Sequence, residues 1–100
     1  MRITKAKAQE ILRTVEGDER FFNADGTVSA NVRELAGHLA QMPQGAFNHH
    51  CSSQRCDFAA WVQDILQDTT LAKNLRAAKC VRAKVEKAVS DRVAQLEKYA

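Results

Sequence analysis

His49, His50, Cys51 and Cys56 stand within eight residues of one another, in the stretch FNHHCSSQRCDFAAWVQDIL of residues 47–66. Imidazole and thiolate are common zinc ligands, and four residues between two cysteines is a spacing that zinc sites use. The stretch supplies one cysteine pair, however, where a strong motif would supply two. Neighbours at 50 and 51 seldom both reach one ion, and His38 and Cys80 lie far off in sequence. A thiol nucleophile is the other chemistry. Cys56 comes just before a predicted helix start, where the helix dipole favours a thiolate, and His50 is a base close by in sequence. No glycine-rich loop accompanies them to stabilise an oxyanion. His49, His50, Cys51 and Cys56 are therefore kept as secondary metal or thiol candidates, and no catalytic residue or cofactor is assigned. The favoured reading packs His50 beneath the core, leaves His49 solvated, and treats the thiols as reduced, with a Cys51–Cys56 disulfide as the oxidised option.

The elements around this stretch read as helices. Ile3, Ala8, Ile11, Leu12 and Val15 predict a first helix over about 4–16, with Thr4 as N-cap and Gly17 at its end. Asp25-Gly26 is a turn signal between Phe21-Phe22 and Thr27-Val28, consistent with a minimal β-hairpin near 21–28 or an ordered turn. Ser29 is the expected cap of a helix over 30–42, whose Val32, Leu35, Ala36, Leu39 and Met42 form one stripe. After Pro43 comes a short helix near 44–52. Asp57 is then expected to cap a helix over 57–67, where Phe58, Trp61, Val62, Ile65 and Leu66 recur with helical spacing. That segment holds the only Trp and is the expected centre of the core, because aromatic side chains bury the most area.

Asp68-Thr69-Thr70 predicts the cap of a last helix. At 100° per residue, Leu71, Leu75, Ala78, Val81, Val85, Val89, Val93, Leu96 and Tyr99 share one face. Lys73, Arg76, Lys79, Lys84 and Lys87 lie opposite. With no Gly or Pro between, the pattern predicts one helix of about 29 residues and ~43 Å. A body of 68 residues is below roughly 30 Å across, so such a helix would overhang it. An overhanging apolar stripe must be covered, which points to a homodimer or a protein partner gripping Leu71, Leu75, Ala78, Val81, Val85, Val89, Val93 and Leu96. Arg82 and Arg92 interrupt the 4-3 seam and suit an antiparallel or mixed contact.

Composition narrows the class. With 100 residues, 45% hydrophobic and 27% charged, the expectation is a single soluble globular domain over 1–100. No apolar run approaches the ~20 residues of a membrane span, and the N-terminus lacks an apolar signal segment. Three cysteines, an odd number, suggest a reduced, cytoplasmic chain. Residues 1–68 carry seven Lys/Arg against nine Asp/Glu, and residues 69–100 carry eight against three. A mildly acidic body thus bears a basic C-terminal segment, which keeps open a nucleic-acid-associated role for Lys73, Arg76, Lys79, Lys84 and Lys87. No aromatic residue interleaves with these cations to stack on bases.

Phe22, Glu34-Leu35, Leu39, Met42, Phe47, His49-His50 and the run Asp57-Phe58-Ala59-Ala60-Trp61-Val62 follow one another in an order that resembles a family of small, mostly archaeal helical domains of unknown function. The resemblance covers residues 21–75 and implies a compact helical module, standing alone or attached to other domains. It brings no catalytic residues. In that family the positions of Cys51 and Cys56 are not cysteines, which counts against zinc and favours structural histidines. Residues 76–100 fall outside it. The expected fold is all-α: four or five helices, a compact body over 1–68 and a long basic amphipathic helix over 69–100. The expected role is a non-enzymatic interaction or adaptor module, with nucleic-acid association and zinc or thiol dependence as the alternatives.

Overall fold

Thr4 holds an extended backbone, and its Oγ1 accepts from the Lys7 amide at 3.1 Å to start helix α1, Lys5–Ile11. This is the N-cap that its residue type predicts. The computed structural model describes residues 3–52 and 54–100. Helix α1 stops at Ile11 rather than near 16, because the following chain is drawn toward residue 30: the Val15 amide donates to the Ala30 carbonyl at 2.8 Å. A single 3-10 turn, Gly17–Glu19, leads into strands β1 (Phe21–Phe22) and β2 (Val28–Ser29). They pair antiparallel, Phe21 opposite Ser29, so the hairpin option is the one realised. Asp25 Oδ1 accepts from the Thr27 hydroxyl at 2.6 Å and its amide at 3.0 Å, bonds that hold the Asp25 carboxyl below its usual range. Gly26 supplies the left-handed residue at φ +94°.

Helix α2, Val32–Gln41, starts at Asn31 instead of Ser29. Asn31 Oδ1 accepts from the Glu34 amide at 2.8 Å, and Glu34 Oε1 reaches back to the Ala30 amide at 2.7 Å. Ser29 is taken by the hairpin, where its buried hydroxyl lies 2.7 Å from His38 Nδ1 and accepts from Asn23 Nδ2 at 3.1 Å. Helix α3, Gln44–His50, follows Pro43. Strands β3 (Cys51–Ser52) and β4 (Arg55–Cys56) then form a second antiparallel hairpin, with Cys51 opposite Cys56. The sequence pattern assigned residues 51 and 52 to the preceding helix. Helix α4, Asp57–Trp61, continues directly as a π-helix over Val62–Leu66. Gln67 closes it in the left-handed region at φ 60°, and Arg13 Nη2 donates to the Ile65 carbonyl at 2.6 Å.

The aromatic segment is the core centre, as its spacing predicts. The Phe58 ring lies 5.3 Å from Phe21 and 5.8 Å from Phe47. Trp61 lies 5.7 Å from Phe21 and donates its indole N–H to the Glu19 carbonyl at 2.7 Å. Burying Trp without stranding its donor requires such a partner.

The C-terminal segment departs most from expectation. Asp68 does cap helix α5, Thr69–Ala77, accepting from the Leu71 amide at 3.1 Å. The chain then turns through 78–81 and restarts as helix α6, Arg82–Tyr99. Lys79 and Cys80 adopt φ 51° and φ 59°, a conformation that costs a non-glycine residue ~1–2 kcal/mol. A straight helix of ~43 Å would exceed the molecule's longest dimension, 36 Å. The single overhanging helix is therefore corrected to two helices folded on one body, with α6 packed against α2, α5 and α1.

The proposed interface is corrected with it. Leu71, Leu75, Val85, Val89 and Leu96 are fully buried in the chain's own core, and Ala78 nearly so. Val93 packs against that core, and Val81 is exposed at the turn. The apolar stripe that seemed to need a second copy is covered within the chain. The arginines that interrupt it are ties rather than register devices between copies. Arg92, 8% exposed, grips Asp68 with two bonds of 2.8 and 2.9 Å. Arg82 Nη2 donates to the Leu39 carbonyl at 2.8 Å and also to that of Met42, at the negative end of α2. Its guanidinium lies 5.5 Å over the Phe47 ring. Among the described residues no helix is long and apolar enough to cross a membrane.

Candidate functional site

His50 occupies the junction of both hairpins. Its Nε2 accepts from the Ala24 amide at 2.9 Å, which leaves the ring proton on Nδ1, 3.0 Å from Asp57 Oδ2. Phe21 and Phe58 flank the ring at 4.9 and 5.4 Å. Both nitrogens are committed, so neither offers a lone pair to a metal or acts as base to a thiol. Asp57, expected to cap its helix, is instead the first helical residue and turns its carboxylate to His50 and to Arg55 Nε at 3.4 Å. His49 is exposed.

Cys51 is bonded to Cys80, 29 residues away, with a Cα–Cα distance of 5.5 Å. Two readings are corrected here. The sulfur of Cys51 is not open to a metal, and the argument for a reduced compartment from unpaired cysteines no longer holds. Among the described residues, no three His, Cys, Asp or Glu side chains converge as a metal-binding group. The folded chain does not gather the quartet His49, His50, Cys51 and Cys56 around one point. Distance in sequence is what removed Cys80 from consideration, and no local signal marks it.

The fold assembles a different site around the remaining thiol. Ser52, Gln54, Arg55 and Cys56 of the second hairpin face Leu75, Arg76, Lys79 and Cys80, from α5 and the turn after it, across a cleft of about 440 Å³. Among the described residues no carboxylate lines it. Arg76 Nη1 donates to the neutral Gln63 Oε1, while Arg55 Nη2 donates to the His49 carbonyl at 2.6 Å. The Sγ of Cys80 lies 3.2 Å from the Ser52 carbonyl oxygen. In the disulfide it has no proton to donate there. Burial pushes the Cys56 thiol above its usual range, against the opposing pull of the Ala59 and Phe58 amides and the Arg76 charge.

The expected basic face is divided by the helix break. Arg76 and Lys79 line the cleft, and Lys73 is exposed one turn earlier on α5. Lys84 and Lys87 belong to α6, beyond the turn, and Lys87 pairs with Asp91 at 2.8 Å. A smaller cavity of about 140 Å³ lies beside Asp68 and Arg92, whose charges already satisfy each other.

No family model, curated protein or solved structure matches the chain.

Proposed function

We propose that the chain is a non-enzymatic helical interaction module that binds an acidic segment of a protein partner with the basic edge of its C-terminal segment. One observation carries this reading: Arg55, Arg76 and Lys79 border one concave cleft that has no acidic lining residue among the described residues. Only Arg55 of the three has an acidic partner among the described residues, Asp57 at 3.4 Å, and cations clustered at a concave surface attract carboxylates more strongly than the same charges spread over a convex face. Arg76, whose partner on its own chain is a neutral amide, is the best placed to take a bidentate carboxylate. His50, the buried histidine beside a carboxylate, is fully hydrogen-bonded, and that supports a structural over a catalytic role for it. A protein segment is favoured over nucleic acid because the cations form a cluster and not a track. Lys84 and Lys87 lie past the helix break, and among the described residues no aromatic side chain lines the cleft.

The test is a titration of the isotope-labelled full chain with a glutamate decamer and, separately, with a single-stranded DNA decamer. Amide shifts should cluster at residues 52–56 and 75–80 with the peptide, and disappear in the Arg76→Gln/Lys79→Gln double variant. Preferential binding of the oligonucleotide would replace this reading with the nucleic-acid one, and no binding of either at millimolar concentration would end both.

A further inference from the structure

All three cysteines meet at this cleft. Cys56 and Cys80 line it, Cys51 is bonded to Cys80, and Cys51 is the cross-strand partner of Cys56. We propose that the cleft is a thiol–disulfide exchange site for a low-molecular-weight thiol bearing carboxylates, which opens the Cys51–Cys80 bond by attack on Cys80.

Access selects the sulfur. Cys80 is half-buried and borders the cleft, whereas Cys51 is 4% exposed and sits behind it. Charge selects the thiol. An attacking thiolate arrives as an anion, and among the described residues Arg55, Arg76 and Lys79 are the charged ones bordering the cleft. They attract the thiolate together with any carboxylates it carries in excess of its ammonium groups, and repel a thiol whose only other charge is an ammonium. A volume of about 440 Å³ admits a ligand of peptide size.

The step balances without an external oxidant. The thiolate sulfur bonds to Sγ of Cys80, the Cys51–Cys80 bond breaks, and its electron pair leaves on Sγ of Cys51, which takes a proton from water. The products are a mixed disulfide on Cys80 and a thiol on Cys51. Re-attack by the Cys51 thiolate on Cys80 restores the original bond and expels the ligand thiol, so the site titrates reversibly with thiol concentration. Burial keeps Cys56 as a neutral thiol, which limits its competition for Cys51 in the resting protein. Capping Cys80 also frees the α5–α6 turn from its covalent tether, at the two residues held in left-handed conformation.

This inference uses the cleft and its cations but not the partner reading, and the two fail separately. The oxidised full chain is incubated with reduced glutathione, 2-mercaptoethanol or cysteamine at equal thiolate concentration, quenched with acid, and mapped by peptide mass spectrometry. Glutathione should open the bond about tenfold faster than cysteamine, with 2-mercaptoethanol between them. The adduct should sit on Cys80. The preference should shrink in high salt and vanish in Arg76→Gln/Lys79→Gln, whose folding is checked by circular dichroism, and should persist in Cys56→Ser. Equal rates for the three thiols, or an adduct on Cys51 or Cys56, would overturn the proposal. Equal rates with intact peptide binding would remove this inference alone, and a thiol preference without peptide binding would remove the partner reading alone.

Discussion

Removing the Cys51–Cys80 bond is the perturbation that probes most of this structure at once. Its 29-residue separation, entered in the chain-entropy expression for a cross-link, gives ~3.6 kcal/mol of stabilisation at 25 °C. Part of that is offset if the turn relaxes, because Lys79 and Cys80 are in the left-handed region, at ~1–2 kcal/mol each. The net loss in a Cys51→Ala/Cys80→Ala variant should therefore fall between about 1.6 and 3.6 kcal/mol, the lower figure if one of the two residues relaxes fully. With a urea slope of ~1.5 kcal/mol per molar, the midpoint should drop by about 1.1–2.4 M. Trp61 is the only Trp, and it is buried with its indole N–H bonded to the Glu19 carbonyl, so its fluorescence reports unfolding directly. Reducing the parent protein should reproduce the variant's midpoint, and Cys56→Ala should keep that of the oxidised parent. A reduced midpoint within ~0.3 M of the oxidised one would refute the idea that this bond fixes the C-terminal turn.

Arg92→Met leaves the carboxylate of Asp68, 2% exposed, without its bidentate partner and should cost ~3–5 kcal/mol. In calorimetry that is a fall in Tm of at least ~12 °C, partly recovered in Asp68→Asn/Arg92→Met. A single-variant shift under ~3 °C would mean that α6 is held by its apolar face alone. His50→Leu strands the Ala24 amide and leaves Asp57 only its longer contact with Arg55, for a loss of ~1–3 kcal/mol, whereas His49→Ala should stay within ~0.5 kcal/mol of the parent by chemical denaturation. Equal effects would revive a joint role for the two histidines. Because burial raises the Cys56 pKa, its contribution to stability is complete below the unfolded value and is lost as pH rises through the folded one. Native Cys56 should accordingly react with iodoacetamide more slowly than in urea at about pH 8, with the native rate climbing toward alkaline pH. Equal native and unfolded rates would contradict a buried thiol.

Much of the helical frame is legible residue by residue. Thr4 and Asp68 cap the helices they were expected to cap, and Asp25-Gly26 makes its turn. Phe58, Trp61, Val62 and Leu66 are the buried face their spacing predicts. These features depend on atoms within about four positions along the chain, which is the range over which a helix or turn is decided locally. Ser29 marks where that reasoning weakens. Two suitable caps, Ser29 and Asn31, stand two positions apart, and the choice of Asn31 follows from the hydrogen bonds that Ser29 makes with Asn23 and His38.

The candidate site was barely legible. Charge marks Arg76 and Lys79 and reactivity marks Cys56, but nothing local joins them, because the cleft exists only where the second hairpin meets the turn after α5. The helix break has the same origin. Leu71, Leu75, Ala78, Val85, Val89 and Leu96 point inward whether the helix runs straight or folds back, so periodicity cannot distinguish the two. Lys79 and Cys80 carry no glycine or proline to announce left-handed backbone. Local chemistry is enough to say which residues are apolar, where most helices begin and which faces they bury. What those faces are buried against depends on contacts between distant parts of the chain. A disulfide spanning 29 residues, an arginine reaching across 43 to the end of α2 and an ion pair across 24 hold the last helix on its own body, and none of these contacts has a counterpart in local sequence.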